Sequence, residues 1–209
     1  ENLDWFVELS EDSEQRLNAA FNEREYNERL SILASFPRWF RFTYSYACNL
    51  DCYHCYQRED AKMRVKLPQR FMAEISKYAK KAQVVFPFGG EPFYFNPVVD
   101  FLEQHNSNLE TRFYFITNGT LLTDRIYKTL ERLPITCMAV SLDAASEKTF
   151  DYLRVRGRNA EWKTVIENLQ KLRALRKHKA FDFTLSMTLN SYNCHEIRTF
   201  IELALSYDA

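Results

Sequence analysis

The sequence predicts an α/β protein: a partial TIM-like (β/α) barrel of about five βα units with parallel strands, preceded by an N-terminal helical extension. From Pro37 onward, short β-branched or aromatic runs alternate with amphipathic helical segments, which is typical of βαβ units. The 209 residues, of which 46% are hydrophobic, suffice for one sizeable core. Short polar or glycine-containing motifs follow successive predicted strands, and parallel α/β folds place ligands at that edge.

The first 36 residues are rich in charge and precede this alternation. Within them, Leu17, Phe21, Leu30 and Leu33 recur at roughly helical spacing, which predicts a helix with an apolar stripe. We therefore divide the chain into an extension, residues 1–36, and a core domain, residues 37–209.

Five strands and the helices between them are predicted in the core domain. Pro87 lies within the second strand, where its missing N–H predicts a bulge or an edge position. The predicted strands are residues 40–46, 84–88, 112–117, 135–142 and 181–189. The predicted helices are residues 68–81, a segment opened by Asn96 and Pro97, one opened by Thr123, residues 162–176, and one after Asn193.

Composition narrows the classes of function. Lys plus Arg and Asp plus Glu number 28 each, so no global field attracts nucleic acid, which makes a nucleic-acid partner unexpected. No stretch is long and apolar enough to span a membrane. Five cysteines are an odd number for a disulfide framework, and three of them crowd into eight residues. These features predict a cytoplasmic protein whose cysteines bind metal.

The three crowded cysteines, Cys48, Cys52 and Cys55, have the spacing C-x3-C-x2-C after the first predicted strand. One tight loop with this spacing can present three thiolates to one metal centre. Three ligands leave a coordination position open for a substrate or cofactor, whereas structural zinc has four protein ligands. Zinc completed by His54 remains an alternative, in which the chain would be a non-enzymatic interaction module.

Four motifs together resemble the radical SAM superfamily over residues 37–209. They are the run Cys48-Asn49-Leu50-Asp51-Cys52-Tyr53-His54-Cys55-Tyr56, then Gly89-Gly90-Glu91-Pro92, Thr117-Asn118-Gly119 and Ser141-Leu142-Asp143. The cysteine run is most similar to the peptide- and protein-modifying branch, which often carries a C-terminal SPASM or twitch domain.

The resemblance implies a mechanism, cofactors and partners. A 4Fe-4S cluster on the three cysteines would bind S-adenosylmethionine (SAM) at its open iron and cleave it reductively. The resulting 5′-deoxyadenosyl radical would take a hydrogen atom from substrate. A flavodoxin- or ferredoxin-like protein is the expected one-electron reductant, and a peptide or protein is an expected substrate.

The same resemblance assigns SAM-binding roles to eight residues. Gly89 and Gly90 would let the backbone approach the ligand, and Glu91 would accept a hydrogen bond from the SAM ammonium. The remaining assignments are Ser141 to the ribose or carboxylate, Arg154 to the carboxylate, His54 to the adenine, and Asn118 and Asn190 to the ribose or adenine.

Simpler interpretations of individual residues stay open at this point. Arg154 could belong to a solvated basic loop with Arg156 and Arg158, and polar residues such as Asn118 end most strands. Cys137 is expected in the core because its neighbours are apolar. Cys194 could be a reactive thiol or a semi-buried helix residue.

Overall fold

The computed structural model describes residues 13–58, 65–105, 110–155 and 162–209. Within these ranges, five strands form one sheet in the order β1-β2-β3-β4-β5, and all four neighbouring pairs are parallel. The predicted α/β fold with a partial barrel is thus confirmed. The strands are β1 (Trp39–Thr43), β2 (Val84–Phe88), β3 (Arg112–Thr117), β4 (Ile135–Ser141) and β5 (Asp182–Ser186).

The helices are α1 (Glu14–Asn27), α2 (Gln69–Ala79), α3 (Asn96–Gln104), α4 (Asp124–Arg132), α5 (Glu147–Phe150), α6 (Trp162–Arg176) and α7 (Ile197–Ser206). Helix α1 precedes the sheet, α2 to α6 lie between consecutive strands, and α7 follows β5. A π-helical turn, Asp151–Val155, extends α5. None of the helices in the described part of the chain is both long and apolar enough to cross a membrane.

The hydrophobic core lies between one face of the sheet and the helices. In β3 the side chains alternate, with Phe113 and Phe115 fully buried and Tyr114 between them half-buried. Phe101 of α3 and Leu169 of α6 belong to the same buried cluster. Because side chains alternate between the two faces of a strand, every second residue of β3 lies on the opposite face of the sheet.

The opposite face of the sheet carries partly exposed aromatic and polar side chains. The strand register places Arg41 beside Phe86, and both on the face of Tyr114. The rings of Phe86 and Tyr114 are 4.8 Å apart between centroids, and the Arg41 guanidinium lies 4.7 Å from the Phe88 ring centre. This face is therefore available to line the interior of the partial barrel.

Pro87 forms no bulge in the pairing of β2 with β1, but one side of β2 is unpaired at its position, as predicted for a local edge. β2 lies between β1 and β3, and its regular register with β1 includes the pair Phe42 and Pro87. Its pairing with β3, however, covers only Val84 and Val85. The proline is tolerated inside the sheet because β2 and β3 no longer pair at its position.

Helix α1 confirms a helical extension, but the predicted apolar stripe is wrong. Leu17 and Phe21 are each 53% exposed, and the buried side chains are polar: Gln15, Asn18 and Glu25. Gln15 Nε2 donates to Thr111 Oγ1 at 3.0 Å, and Asn18 Nδ2 donates to carbonyls of Phe36 and Lys81 at 3.0 and 3.2 Å. Helix α1 is held by hydrogen bonds to loop backbone. Residues 1–12 of the predicted extension lie outside the described residues, and the boundary at residue 36 stays a prediction.

Glu25 makes this attachment dependent on pH. Its carboxylate accepts hydrogen bonds from Ala34 N at 2.6 Å and from the backbone and hydroxyl of Ser35. The Ser35 hydroxyl is the main cause that lowers the pKa of Glu25 below its usual 4.5. A lowered folded-state pKa means that this stabilisation is present above pH 4.5 and is lost as pH falls through the folded-state value.

We therefore expect the urea midpoint of the native chain to fall more steeply between pH 6 and pH 3 than that of Glu25→Gln. The variant should be the less stable of the two at pH 6, and the gap should narrow toward pH 3. Glu28→Gln is the matched control, because the Glu28 carboxylate bonds only Arg24 on the exposed side of α1 among described contacts. Parallel pH profiles for the native chain and Glu25→Gln would contradict the prediction.

Candidate active site

Four loops meet at the carboxyl edge of the sheet. The cysteine loop follows β1, and residues 89–92, 118–120 and 142–146 follow β2, β3 and β4. Direct hydrogen bonds join the first three loops, because Gly90 N donates to Ser45 O at 3.1 Å and Asn118 Nδ2 to Asn49 Oδ1 at 2.9 Å. The convergence predicted from the parallel topology is therefore observed.

The three clustered cysteines lie in this loop as free thiols. Cys52 is buried, and Cys48 and Cys55 are half-buried. Burial raises the pKa of Cys48 to about 12, with the nearby Glu91 carboxylate as the second cause, and burial also raises the pKa of Cys52. Metal binding at such thiols requires their deprotonation and therefore couples to proton release.

The residue types of the cysteine loop suit an iron–sulfur cluster. Among the described residues, no group of three or more His, Cys, Asp and Glu side chains is arranged to hold a single metal ion. Cys48, Cys52 and Cys55 would be the ligands of a 4Fe-4S cluster. All three donors are sulfur, which matches iron–sulfur ligation.

Gly89 and Gly90 are required by the close approach of two loops. A Cβ on Gly89 would lie 2.2 Å from Ser45 O, and Gly89 also has a φ of +147°. A Cβ on Gly90 would lie 2.2 Å from Ala47 O and 2.4 Å from Tyr46 O. The described backbone that approaches these glycines is therefore that of the cysteine loop, and their predicted approach to SAM stays a prediction.

Glu91 is fully buried between the loops after β2 and β3. Its carboxylate accepts hydrogen bonds from Phe93 N at 3.2 Å, the Thr117 hydroxyl at 2.8 Å and Asn118 N at 2.7 Å. Burial raises the pKa of Glu91 to about 7, although these three donors act to lower it. Through these hydrogen bonds, the Glu91 carboxylate connects the end of β3 to the loop of residues 89–92, called the glycine loop below.

Asn118 connects this buried carboxylate to the cysteine loop. Its Nδ2 donates to Asn49 Oδ1 at 2.9 Å and to Cys48 Sγ at 3.6 Å. Its Oδ1 accepts from Thr120 N at 2.9 Å and from the Thr120 hydroxyl at 2.6 Å. An amide has two N–H donors and two acceptor lone pairs, so all are used. The predicted contact of Asn118 with SAM stays a prediction.

His54 and Arg154 meet on one carboxylate. Arg154 Nη1 donates to Asp143 Oδ2 at 2.6 Å, and His54 Nε2 lies 3.2 Å from the same oxygen. Burial acts to raise the pKa of Asp143, but the His54 hydrogen bond and the Arg154 charge hold that pKa below its usual value. Thr188 N completes the set with a 2.6 Å bond to Asp143 Oδ1.

Arg154 is therefore no member of a solvated basic loop. It is 6% exposed, and Arg156 and Arg158 lie outside the described residues. Its Nε is buried without a hydrogen-bond partner among the described residues. A buried donor without a partner is costly, and the guanidinium geometry of arginine suits a carboxylate ligand.

Ser141 and Asn190 lie at the same edge of the sheet, at the end of β4 and in the turn after β5. Ser186 Oγ donates to Ser141 Oγ at 3.4 Å across the ends of β5 and β4. Asn190 Oδ1 accepts from Tyr192 N at 2.8 Å, and its Nδ2 donates to Thr188 O at 3.2 Å. Asn190 thus shapes a local turn, and contact of either residue with SAM stays a prediction.

Sequence reasoning missed several residues of this site. Asn49 and Thr120 complete the network around Asn118, with Asn49 Nδ2 donating to Thr120 Oγ1 at 2.8 Å. Asp143 is the shared acceptor of His54 and Arg154 and has a left-handed backbone with φ of 58°. Its place after Ser141-Leu142 was a signal, because aspartate is one of the few non-glycine residues that adopt this conformation.

Comparison with known proteins decides the family. The family model described as the radical SAM superfamily matches residues 42–204. The chain belongs to the radical SAM superfamily. The match contains the four loops at the sheet edge, so the resemblance inferred from the motifs is confirmed.

Curated relatives of this radical SAM chain have different products. It is 28% identical over 174 residues to the AdoMet-dependent heme synthase of Methanosarcina barkeri, covering 80% of the chain and 47% of the relative. It is 26% identical over 170 residues to the mycofactocin maturase MftC of Mycolicibacterium smegmatis, covering 79% of the chain and 41% of the relative. The chain spans less than half the length of these relatives.

Solved radical SAM structures share the fold. SuiB of Streptococcus suis, bound to S-adenosylmethionine, superimposes with a TM-score of 0.62 at 18% identity, covering 97% of this chain and 46% of that chain. The structure described as native anSMEcpe with bound AdoMet and Cp18Cys peptide gives 0.61 at 17% identity, covering 82% of this chain and 48% of that chain. These likenesses support the partial barrel.

A surface cavity of about 910 Å³ adjoins the cysteine loop of the radical SAM core. Three half-exposed tyrosines line it: Tyr53 of the loop, Tyr152 of the π-helical turn and Tyr192 after β5. Their ring centroids are 4.9 to 5.9 Å apart. Of the eight predicted SAM-binding residues, none lines this cavity.

Proposed function

We propose that this chain is the core of a radical SAM enzyme that binds a 4Fe-4S cluster on Cys48, Cys52 and Cys55 and cleaves SAM reductively. The observation that carries the proposal is the cysteine loop itself. This loop lies at the carboxyl edge of the parallel sheet, and its backbone accepts hydrogen bonds from Gly90 N and Glu91 N of the glycine loop. Cys48 Sγ also accepts a hydrogen bond from Asn118 Nδ2 in the loop after β3. When bound, a reduced cluster of this kind supplies one electron to the SAM sulfonium and yields a 5′-deoxyadenosyl radical.

The residues of this chain would bind and orient SAM. The buried Arg154 has an Nε without a hydrogen-bond partner among the described residues, which could bind a carboxylate, and Asp143 Oδ2 accepts from its Nη1 at 2.6 Å. The same aspartate orients His54, which we propose to lie beside the adenine. Ser141 and Asn190, at the ends of β4 and β5, are proposed to contact the ribose.

The glycine loop would receive the amino group of SAM. A carboxylate has about four lone-pair sites. Among the described residues, three donors occupy three of these sites on Glu91, which leaves one acceptor position for an ammonium. Gly89 and Gly90 place this loop beside Ala47, the residue before Cys48. The ammonium would then lie next to the cluster ligands.

A peptide or protein is the substrate class that we propose. Support comes from the structural likeness to SuiB, which has been solved bound to precursor peptide SuiA. We also propose a flavodoxin- or ferredoxin-like protein as the one-electron reductant. A cytoplasmic location is proposed because thiol ligands must stay reduced to bind iron. The similarity to a heme synthase supports a second substrate class, a tetrapyrrole.

The proposal is tested by anaerobic reconstitution of this chain with iron and sulfide, followed by addition of dithionite and SAM. We expect iron–sulfur absorption and formation of 5′-deoxyadenosine, detected by chromatography with mass spectrometry. A chain that carries about one zinc and no iron after purification and reconstitution would support the non-enzymatic alternative. A loaded cluster with intact SAM would overturn the proposed activity.

A further inference from the structure

We propose that Asn118 tunes the reduction potential of the cluster through an N–H···S hydrogen bond to Cys48. The inference rests on the proposed function, because it requires a cluster on Cys48. It gives Asn118 the role of a positioning residue that acts through a ligand thiolate. The geometry behind it is the 3.6 Å distance between Asn118 Nδ2 and Cys48 Sγ.

The orientation of the Asn118 amide follows from its neighbours. Thr120 N is a backbone donor 2.9 Å from Asn118 Oδ1, so an oxygen must occupy that position. Nδ2 must then be the atom that faces Asn49 and Cys48. The Asn49 amide is consistent with this orientation. Its Nδ2 donates to Thr120 Oγ1, so its Oδ1 faces Asn118 and accepts from Asn118 Nδ2.

The donor is also held rigidly. Asn118 is 4% exposed, and its backbone N–H is fixed by the buried Glu91 carboxylate at 2.7 Å. Reorienting the amide would break its bonds to Thr120 and Asn49. A second N–H, that of Leu50, lies 3.4 Å from the same sulfur. Cys48 Sγ is therefore contacted by two amide donors, and it also lies 3.8 Å from Asn49 Oδ1, to which the thiol donates.

Hydrogen bonds to cluster sulfurs are among the features that set iron–sulfur reduction potentials. Reduction adds one negative charge, which is shared with the ligand thiolates. An amide N–H stabilises the more negative state more strongly and therefore favours reduction. The donor would make this cluster easier to reduce, and its removal should make reduction harder.

We expect Asn118→Leu, a substitution of similar size without a donor, to lower the midpoint potential. A typical hydrogen bond contributes up to about a tenfold factor to an equilibrium, and a tenfold change in the reduction equilibrium is about 59 mV for one electron. The measurement is a redox titration of reconstituted protein followed by electron paramagnetic resonance, without SAM. Asn118→Ala provides a second donor-free variant.

The matched control is Asn168→Leu. Asn168 is also 4% exposed, and its Nδ2 donates to Gly119 O at 2.9 Å in the same loop region. Its loss removes a comparable buried hydrogen bond without touching a described cysteine, so the potential should stay at the native value. An equal shift in this control would overturn the proposal.

Three further outcomes are decisive. An unchanged or higher potential in a loaded Asn118 variant would overturn the tuning role. Loss of the cluster from both Asn118 variants, with Asn168→Leu loaded, would show that Asn118 acts in cluster retention and would also overturn it. A native chain that never loads a cluster defeats the proposed function itself, which separates the two failures.

Discussion

Replacement of Cys48, Cys52 or Cys55 by alanine is expected to abolish both iron–sulfur absorption and SAM cleavage in the reconstituted protein. Each thiolate would hold a separate iron, so no remaining ligand can compensate for the loss of one. The loss should exceed the roughly 10–100-fold that follows removal of outer-shell partners of a metal site. Iron and sulfide content and 5′-deoxyadenosine formation measure the two effects.

The chain offers two cysteine controls for this experiment. Cys194 is exposed, and the described hydrogen bond of its sulfur is a 3.9 Å contact with Ser191 O, so Cys194→Ala should load and cleave like the native chain. Cys137 is buried in β4, and Cys137→Ala tests whether loss of any buried thiol prevents loading. Normal loading in any one of the three loop variants would contradict the assignment.

A Gly90→Ala substitution is expected to destabilise the protein even without a cluster. The new Cβ would lie 2.2 Å from Ala47 O and 2.4 Å from Tyr46 O, and both contacts are with backbone that cannot turn aside. Overpacking of this severity costs about 3 kcal/mol. The free energy of unfolding of the cluster-free chain in urea measures this cost.

The same substitution should also impair cluster loading, because Ala47 directly precedes Cys48. Gly119→Ala is the comparison: its Cβ would meet side chains rather than backbone, Val140 Cγ1 at 2.9 Å and Val165 Cγ1 at 3.6 Å, with the strain of a φ of +74°. A left-handed conformation costs about 1–2 kcal/mol for alanine. Gly119→Ala should therefore be the milder change, and the reverse order would contradict a backbone clash at Gly90.

The contacts of Asp143 with His54 and Arg154 show what a sequence pattern can and cannot predict. The motif Ser141-Leu142-Asp143 placed the aspartate at the correct edge, because it directly follows a strand whose residues are buried in succession, Ile135 to Val140. Its partners, His54 and Arg154, are 89 and 11 residues away along the chain. Sequence spacing does not predict these contacts, because they depend on how the loops fold over the sheet.

Helix α1 shows the opposite case, in which a local pattern misleads. Leu17 and Phe21 recur at helical spacing, yet both lie exposed, and Gln15 and Asn18 form the buried side. A helix buries the face whose side chains match the groups of the neighbouring segments. Here the neighbours are loop carbonyl and hydroxyl groups that need hydrogen-bond partners, which apolar side chains cannot supply.

The α/β alternation and the resemblance to the radical SAM superfamily could be predicted from residues alone, because the cysteines, glycines and motifs have spacing that is local. The folded structure was needed to show that Gly89 and Gly90 accommodate the cysteine loop, that the buried Glu91 accepts from Asn118 N, and that Asn118 Nδ2 faces Cys48. Local spacing follows from backbone geometry within one element. Contacts between loops depend on packing and on satisfying every buried polar group, and these are properties of the whole fold.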